Sequence, residues 1–283
     1  MHGQSQQWEK VGSQARPSWY LDRVVAEQKR DHHQALIRRW TGGVEPGRVL
    51  KTDVFEEACG ADQILFDLFP GAELAVGMDL AWTIARSART RRPDSKIQFL
   101  ASDVRSLAIR SESLDLIVST STLDHFASRA EFCAALGELR RVLRPGGLAI
   151  VTLDNLRNPL YAPVRMASRC GWAPYPLGYT ASQSGLVRHL EEAGLEVVAT
   201  ELLIHNPRLI STLLFLGLRR LLGQRADPVI QALLRFFALL GRLPTRGFTA
   251  CFVAACARKP AWRPQRRSSG EAQENAAQNA VDL

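Results

Sequence analysis

Features that mark several other protein classes are missing from this 283-residue chain. Its five cysteines, Cys59, Cys133, Cys170, Cys251 and Cys256, are odd in number and scattered, with no Cys-x-x-Cys pair. That argues against a disulfide framework or a zinc site and favours a reducing cytoplasm. No apolar run reaches the roughly 18 residues needed to span a bilayer. Leu209 to Leu218 stops at Arg219-Arg220, and Val229 to Leu240 is broken by Gln231 and Arg235. The segment from Met1 to Arg16 is polar and lacks the apolar core of a signal peptide. Between Lys51 and Leu65 the sole glycine is Gly60, against the Gly-x-Gly-x-x-Gly of nicotinamide enzymes. There are no internal repeats and no metal-ligand cluster.

The composition otherwise suits a globular α/β protein, with 46% hydrophobic and 23% charged residues. The net charge of +8 is unevenly placed. Residues 1–206 carry 24 basic and 24 acidic side chains, whereas residues 207–267 carry 12 and 1. The excess charge therefore lies in the most apolar part, which argues against a simple nucleic-acid arm.

Four apolar runs in the first half each end at a carboxylate or a small polar cluster. They are Arg48 to Asp53, Leu74 to Asp79, Ile97 to Asp103 and Leu114 to Thr120; a fifth, Gly147 to Asp154, follows Leu143-Arg-Pro-Gly146. Helix-like stretches at Ala61 to Phe69, Ala81 to Thr90 and Ala130 to Leu143 separate them. Such alternation predicts a parallel sheet with helices on both faces, and ligands then bind at the carboxyl ends of the strands. Polar groups placed there in succession point to a nucleotide-like cofactor.

Gly77-Met-Asp79, Asp103-Val-Arg, Leu114-Asp-Leu-Ile-Val and Leu139-Arg-Arg-Val-Leu-Arg-Pro-Gly-Gly-Leu148, in that order, resemble the class I S-adenosylmethionine-dependent methyltransferases of the small-molecule, type 11-like kind. The resemblance covers roughly Arg48 to Asn155 and more loosely Tyr179 to Ala257. It implies a Rossmann-like seven-stranded sheet, mostly parallel with the last strand antiparallel, and S-adenosyl-L-methionine as cofactor. Asp79 would accept from the ribose hydroxyls, Asp103 from the adenine amino group, and the Val104 N–H would meet a ring nitrogen. Leu80 and Trp82 would flank the adenine, with Ser119 at the end of the fourth strand beside them. The first loop departs from the family pattern: Asp53-Val-Phe-Glu-Glu-Ala-Cys-Gly60 keeps Gly60 but has Ala58 in place of the other glycine. Either Asp53 or Glu56 supplies its acid. His125 follows the fourth strand and is either a general base or part of the cofactor shell.

The expected organisation is a flexible leader over 1–17, a methyltransferase domain over 18–257 and a disordered tail over 258–283. Within the domain lie an N-terminal helix (18–43), a cofactor-binding core (48–155), a crossing segment (157–180) holding Tyr161 and Tyr179 as lid residues, and an apolar helical insertion or lid (207–246). His32 and His33 read as a solvated pair. The expected reaction is direct displacement onto a small, lipophilic acceptor, in the cytoplasm, with peripheral contact to the inner face of a membrane through 207–246. Packing on the sheet, or a dimer interface, accounts equally well for those apolar helices. Nucleic-acid methylation is not expected, since no Asn-Pro-Pro-aromatic run occurs. The alternative is a non-catalytic member of the fold that binds a partner or lipid.

Overall fold

The computed structural model describes residues 2–13, 22–60, 63–93, 96–170 and 177–261. Strands β1 (Arg48–Lys51), β2 (Leu74–Asp79), β3 (Gln98–Ala101), β4 (Leu114–Thr120), β5 (Leu143–Asp154), β6 (Glu196–Leu203) and β7 (Phe252–Arg258) make one sheet, ordered β3-β2-β1-β4-β5-β7-β6. β1 to β5 pair in parallel, and β7 runs antiparallel to both its neighbours. This is the seven-stranded, mostly parallel sheet with an antiparallel last strand that the resemblance implies.

Around it, in chain order, lie α1 (His2–Ser13), α2 (Arg23–Trp40), α3 (Phe55–Cys59), α4 (Leu65–Leu68), α5 (Trp82–Arg91), α6 (Arg129–Val142), α7 (Tyr161–Arg169), α8 (Gln183–Glu192), α9 (Arg208–Leu222), α10 (Asp227–Ala238) and α11 (Arg246–Thr249). Side-chain caps fix several starts. Asp22 accepts from the Val24 N–H, Ser128 from Glu131 and Ser182 from Gly185.

The strands alternate between two buried faces with the period of two that a pleat requires. Leu50, Ile117, Val151 and Val253 pack on α6 and α8, while Val49, Leu116, Val118 and Ile150 pack on α3 to α5. Leu114 and Leu116 share a parity yet fall in opposite cores, because the β4–β5 register shifts between them.

The Leu-Arg-Pro-Gly-Gly run is the first part of β5. Gly146 takes φ +82° and donates its N–H to the Lys259 carbonyl at 2.8 Å. A Cβ on Gly147 would lie 3.1 Å from the Leu114 carbonyl, so close strand approach demands glycine there. Arg144 pairs with Asp115 at 2.8 Å. The motif is thus a strand junction remote from chemistry.

Several expectations need correction. The leader is helical over His2–Ser13, because Val11 buries against the α5 side and Glu9 binds the first N–H groups of α5; residues 14–17 lie outside the described residues. So do 18–21, so that the described N-terminal helix begins at Arg23. The crossing segment, read as irregular or short-helical, holds a short helix over Tyr161–Arg169, with 171–176 outside the described residues, as is the tail from 262. The last strand starts at Phe252, since residues 246–249 close a helical turn. His33 is buried rather than solvated: its Nδ1 meets the Lys29 carbonyl at 2.8 Å and its ring lies edge-on to Phe252. Burial pushes its pKa down to about 4.

One buried ion pair ties the first crossover together. Lys51, 1% exposed, ends β1 and meets Glu57, 0% exposed, on α3 at 2.9 Å. Glu57 also accepts from the N–H groups of Ile64 and Leu65 at 3.0 and 2.8 Å, which starts α4. Removing one partner of such a pair strands a charge in a dry interior. Lys51→Ala is therefore expected to lower the unfolding free energy by about 3–5 kcal/mol, read as a shifted urea midpoint in circular dichroism.

Candidate functional site

The carboxyl ends of β1, β2 and β4 open into a cleft of about 540 Å³ lined by Thr52, Asp53, Met78, Asp79, Leu80, Ser102, Asp103, Val104, Thr122, His125, Phe126 and Trp8. Six of the nine anticipated residues therefore meet in one place: Asp53, Asp79, Leu80, Asp103, Val104 and His125. Glu56, Gly60 and Ser119 do not line it. Glu56 turns to Lys29 of α2 at 3.0 Å. Burial would raise its pKa, but Lys29 and Lys51 hold it down to about 2. Gly60 takes an extended conformation at the end of α3. Ser119 lies beneath the floor, where its Oγ accepts from Thr52 at 3.0 Å.

In place of a glycine turn, the chain leaves β1 through Asp53 and coils at once into α3. The Asp53 carboxylate accepts from the Phe55 N–H at 2.8 Å, and its carbonyl accepts from Lys51. Asp79 accepts from Ala81 at 2.9 Å and, from across the cleft, weakly from Val54 at 3.4 Å. These two carboxylates face one another. Burial and the charge of Glu56 push Asp53 up to about 7, against the pull of Lys51. Burial and Asp53 likewise raise Asp79 well above the usual carboxylate range. A ligand bringing hydroxyl donors and positive charge would relieve both.

Asp103 is different. Arg105 grips its carboxylate through Nε at 3.0 Å and a terminal nitrogen at 2.6 Å. Although partial burial raises its pKa, these bonds carry it below the ordinary value. Arg105 in turn stacks over Phe126, 5.0 Å from the ring centre. Asp103 is thus a fixed anion, held by the Arg105 side chain and also by its N–H at 2.9 Å.

The aromatic wall comes from an unexpected quarter. Trp82 is exposed and stays outside the cleft, whereas Trp8 of α1 reaches in, edge-on to His125 with ring centres 5.0 Å apart. The Glu9 carboxylate seats α1 by accepting from the Trp82 N–H at 2.6 Å and the Thr83 hydroxyl at 2.6 Å. The sequence offers little signal for this, a single tryptophan in a polar stretch. Thr52 and Thr122, also missed, share a 3.0 Å hydroxyl contact on the floor; both flank residues already singled out.

Beyond His125 the chain supplies a second polar centre. Asp124 is buried, its Oδ2 accepting from the Asp154 N–H at 2.8 Å, and its Oδ1 has no partner among the described residues. Burial and the neighbouring Asp154 raise it to about 6. Asp154 pairs with Arg208 at 2.5 Å and lines a smaller cavity of about 280 Å³ with Asn155, Asn158, Tyr161, Val164 and Cys251. Asp124 lines neither the cleft nor the cavity, and reaches the latter only through its bond to Asp154. Tyr161 belongs to this cavity, while Tyr179 is engaged by His189 at 2.7 Å and packs on Phe132.

Residues 55–151 match a family model described as a methyltransferase domain. Over 76 residues the chain is 34% identical to the tRNA (carboxymethyluridine(34)-5-O)-methyltransferase ALKBH8 of Mus musculus. That match takes in 27% of this chain and 11% of the relative, so about a tenth of the relative's length is shared. In fold the chain is similar to the [4+2]-cyclase SpnF, with TM-score 0.58 and 19% identity over 88% of this chain and 85% of that one. It is also similar to the N-methyltransferase NodS of Bradyrhizobium japonicum WM9, solved with S-adenosyl-L-homocysteine, with TM-score 0.57 and 18% identity over 91% and 98%. The chain thus matches a methyltransferase domain model over about a third of its length, and its fold is the one these solved structures share.

The acid cluster makes a pH prediction. Unfolded aspartate titrates near 3.9, so the folded protein holds protons on Asp53, Asp79 and Asp124 that the unfolded chain has lost. Their contribution is fully present below about pH 4 and is lost as the pH rises through the folded values, about 7 for Asp53. His33 works in the opposite sense between about pH 4 and 6.5, but it is common to wild type and variant. Asp53→Asn should therefore gain melting temperature relative to wild type steadily from about pH 5 to about pH 7.5. A constant offset by scanning calorimetry would show that Asp53 is not perturbed.

Proposed function

We propose that this protein transfers a methyl group from S-adenosylmethionine to a small, lipophilic acceptor. The observation that carries the reading is the pair of facing carboxylates, Asp53 and Asp79, in the cleft of a methyltransferase domain. When bound, S-adenosylmethionine supplies a sulfonium-activated methyl group for direct displacement by an acceptor atom. Asp79 accepts from the ribose hydroxyls, Asp103 and the Val104 N–H hold the adenine, and Leu80, Phe126 and Trp8 enclose it. Asp53, at the end of β1, faces the cationic amino-acid end. Glu56 and Gly60 take no direct part, and Ser119 acts only by positioning Thr52.

The acceptor enters from the side of the smaller cavity. Leu160, Val164 and Cys251 give that cavity apolar walls, and Asn155, Asn158 and Arg208 orient a polar end. His125 lines the cofactor cleft and takes a proton released by the acceptor. Alignment and exclusion of water, the latter helped by α1, supply the rate. A fold relative described as geranyl diphosphate methyltransferase in complex with GPP and sinefungin, with TM-score 0.55 and 12% identity over 81% of this chain, supports a lipophilic acceptor. The curated relative is named as a tRNA methyltransferase, but the basic excess here lies among exposed apolar side chains, which suits lipid better than RNA. The reading includes a cytoplasmic location.

A second reading, a member of the fold that methylates nothing, has one observation in its favour. The first crossover is held by the Lys51–Glu57 pair and α3 rather than by a glycine turn, and a protein of similar fold is described as a cyclase. Calorimetric titration with S-adenosylmethionine and S-adenosylhomocysteine separates the two. Binding that weakens about ten- to hundredfold in Asp79→Ala, the loss of about 1.5–3 kcal/mol from hydrogen bonds to a charged group, supports methyl transfer. No binding by folded wild type would leave the second reading standing.

A further inference from the structure

Helices α9 and α10 have two unlike faces. Their inner face is accounted for: Phe215, Ala226, Ile230 and Leu234 pack on Val24 and Val25 of α2. Arg219 fastens the pair by bonding Asp227 at 2.5 Å and also Asp22. Their outer face has no partner among the described residues. On α9, Ile210, Leu213, Leu214, Gly217 and Leu221 recur at i, i+3, i+4, i+7 and i+11, one stripe of a helix. Leu213 is 71% and Leu221 81% exposed. Along α10 and the turn after it, Val229, Phe236, Leu239 and Leu243 continue the bare surface, with Phe236 62% exposed.

Charge decides what can cover this surface. Arg220, Arg225, Arg235, Arg242 and Arg246 lie in the same segment and are exposed, and none forms an ion pair with another described residue. The segment's one acid, Asp227, is already engaged by Arg219 and Arg23. A second copy docked face to face would bring two such arginine sets together with no acid between them. A nucleic acid would satisfy the arginines but leave the leucines and Phe236 in water. An anionic lipid surface satisfies both, with apolar side chains among the acyl chains and guanidinium groups at the headgroups. No described helix is long and apolar enough to cross a membrane, so the pair lies in the plane.

We propose that α9 and α10 are an in-plane anchor that docks this protein on anionic membrane lipid. The anchor begins at the second cavity, because Arg208 both opens α9 and lines that cavity with Asp154. Docking therefore sets the cavity at the bilayer interface, where a lipophilic acceptor resides. That last consequence rests on the methyl-transfer reading; the lipid contact itself does not.

Flotation of the full chain with vesicles of phosphatidylcholine alone, and of phosphatidylcholine mixed with phosphatidylglycerol, tests the anchor. The wild type is expected to float with the anionic vesicles and to be released by high salt. Leu213→Glu with Phe236→Glu should reduce binding at least tenfold, and Arg220→Gln with Arg235→Gln about fivefold per arginine. All four positions are exposed, and the circular dichroism spectrum and melting temperature of each variant verify the fold. Wild type that stays unbound to both vesicles overturns the proposal, as does equal binding to both without salt dependence. A dimer in solution abolished by Leu213→Glu, without vesicle binding, would overturn it by making this face a subunit interface. Vesicle binding without cofactor binding would uphold the anchor and sink the methyl-transfer reading alone.

Discussion

The contact between Lys51 and Glu57 is the constraint on which the cofactor side of this molecule hangs. It places an ammonium at the last residue of β1 and a carboxylate two residues into α3, both out of water. Desolvating two charges costs several kcal/mol each, recovered only when geometry and further hydrogen bonds are good. Here they are: Lys51 also donates to the Asp53 carbonyl, and Glu57 also collects two N–H groups ahead of α4. One pair thus sets the direction of the chain out of the sheet, the aim of Asp53 and the start of the next helix. A glycine turn achieves close backbone approach by lacking side chains; this chain shapes the same corner with charge.

A division among the acids follows. Glu56 and Glu57 are neutralised by lysines and serve the frame, whereas Asp53 and Asp79 are left facing each other across open space. Mutual repulsion in a partly dry cleft is tolerable only as a binding site, since a well-chosen ligand removes it. The arrangement repeats in outline farther along the sheet. Asp124 and Asp154 stand close together, and Arg208 compensates one of them. The row of strand ends is therefore an acidic shelf with one firmly gripped anion, Asp103, at its β3 end and two adjustable pairs beyond it.

How much of this was legible depended on whether the responsible force was local. The spans of β2 and β4 follow from uninterrupted apolar runs bounded by polar residues, and the two insertion helices from their apolar periodicity. Asp79, Leu80, Asp103 and Val104 fall where strand ends must place them. Glu56 read as a site acid because nothing in the sequence shows that Lys29, on another helix, lies 3.0 Å away. Lys51 was silent for the same reason: a lysine closing a strand usually reaches solvent, and only the tertiary position of Glu57 keeps it inside. His33 and α1 are parallel cases. A polar segment becomes an ordered wall because two side chains, Glu9 and Trp8, find partners more than seventy residues away.

The last strand carries a consequence for how the molecule is made. β6 has no neighbour except β7, and β7 slots between β6 and β5. Until the chain reaches residue 258, β5 presents a long unpaired edge of Ile150, Val151 and Leu153, and β6 is a solitary strand unable to join the sheet. Open apolar edges are templates for pairing with other chains. The final seven residues of the sheet thus close two edges in one event, which makes completion abrupt and leaves any chain that stops short of β7 exposed to aggregation rather than merely weakened.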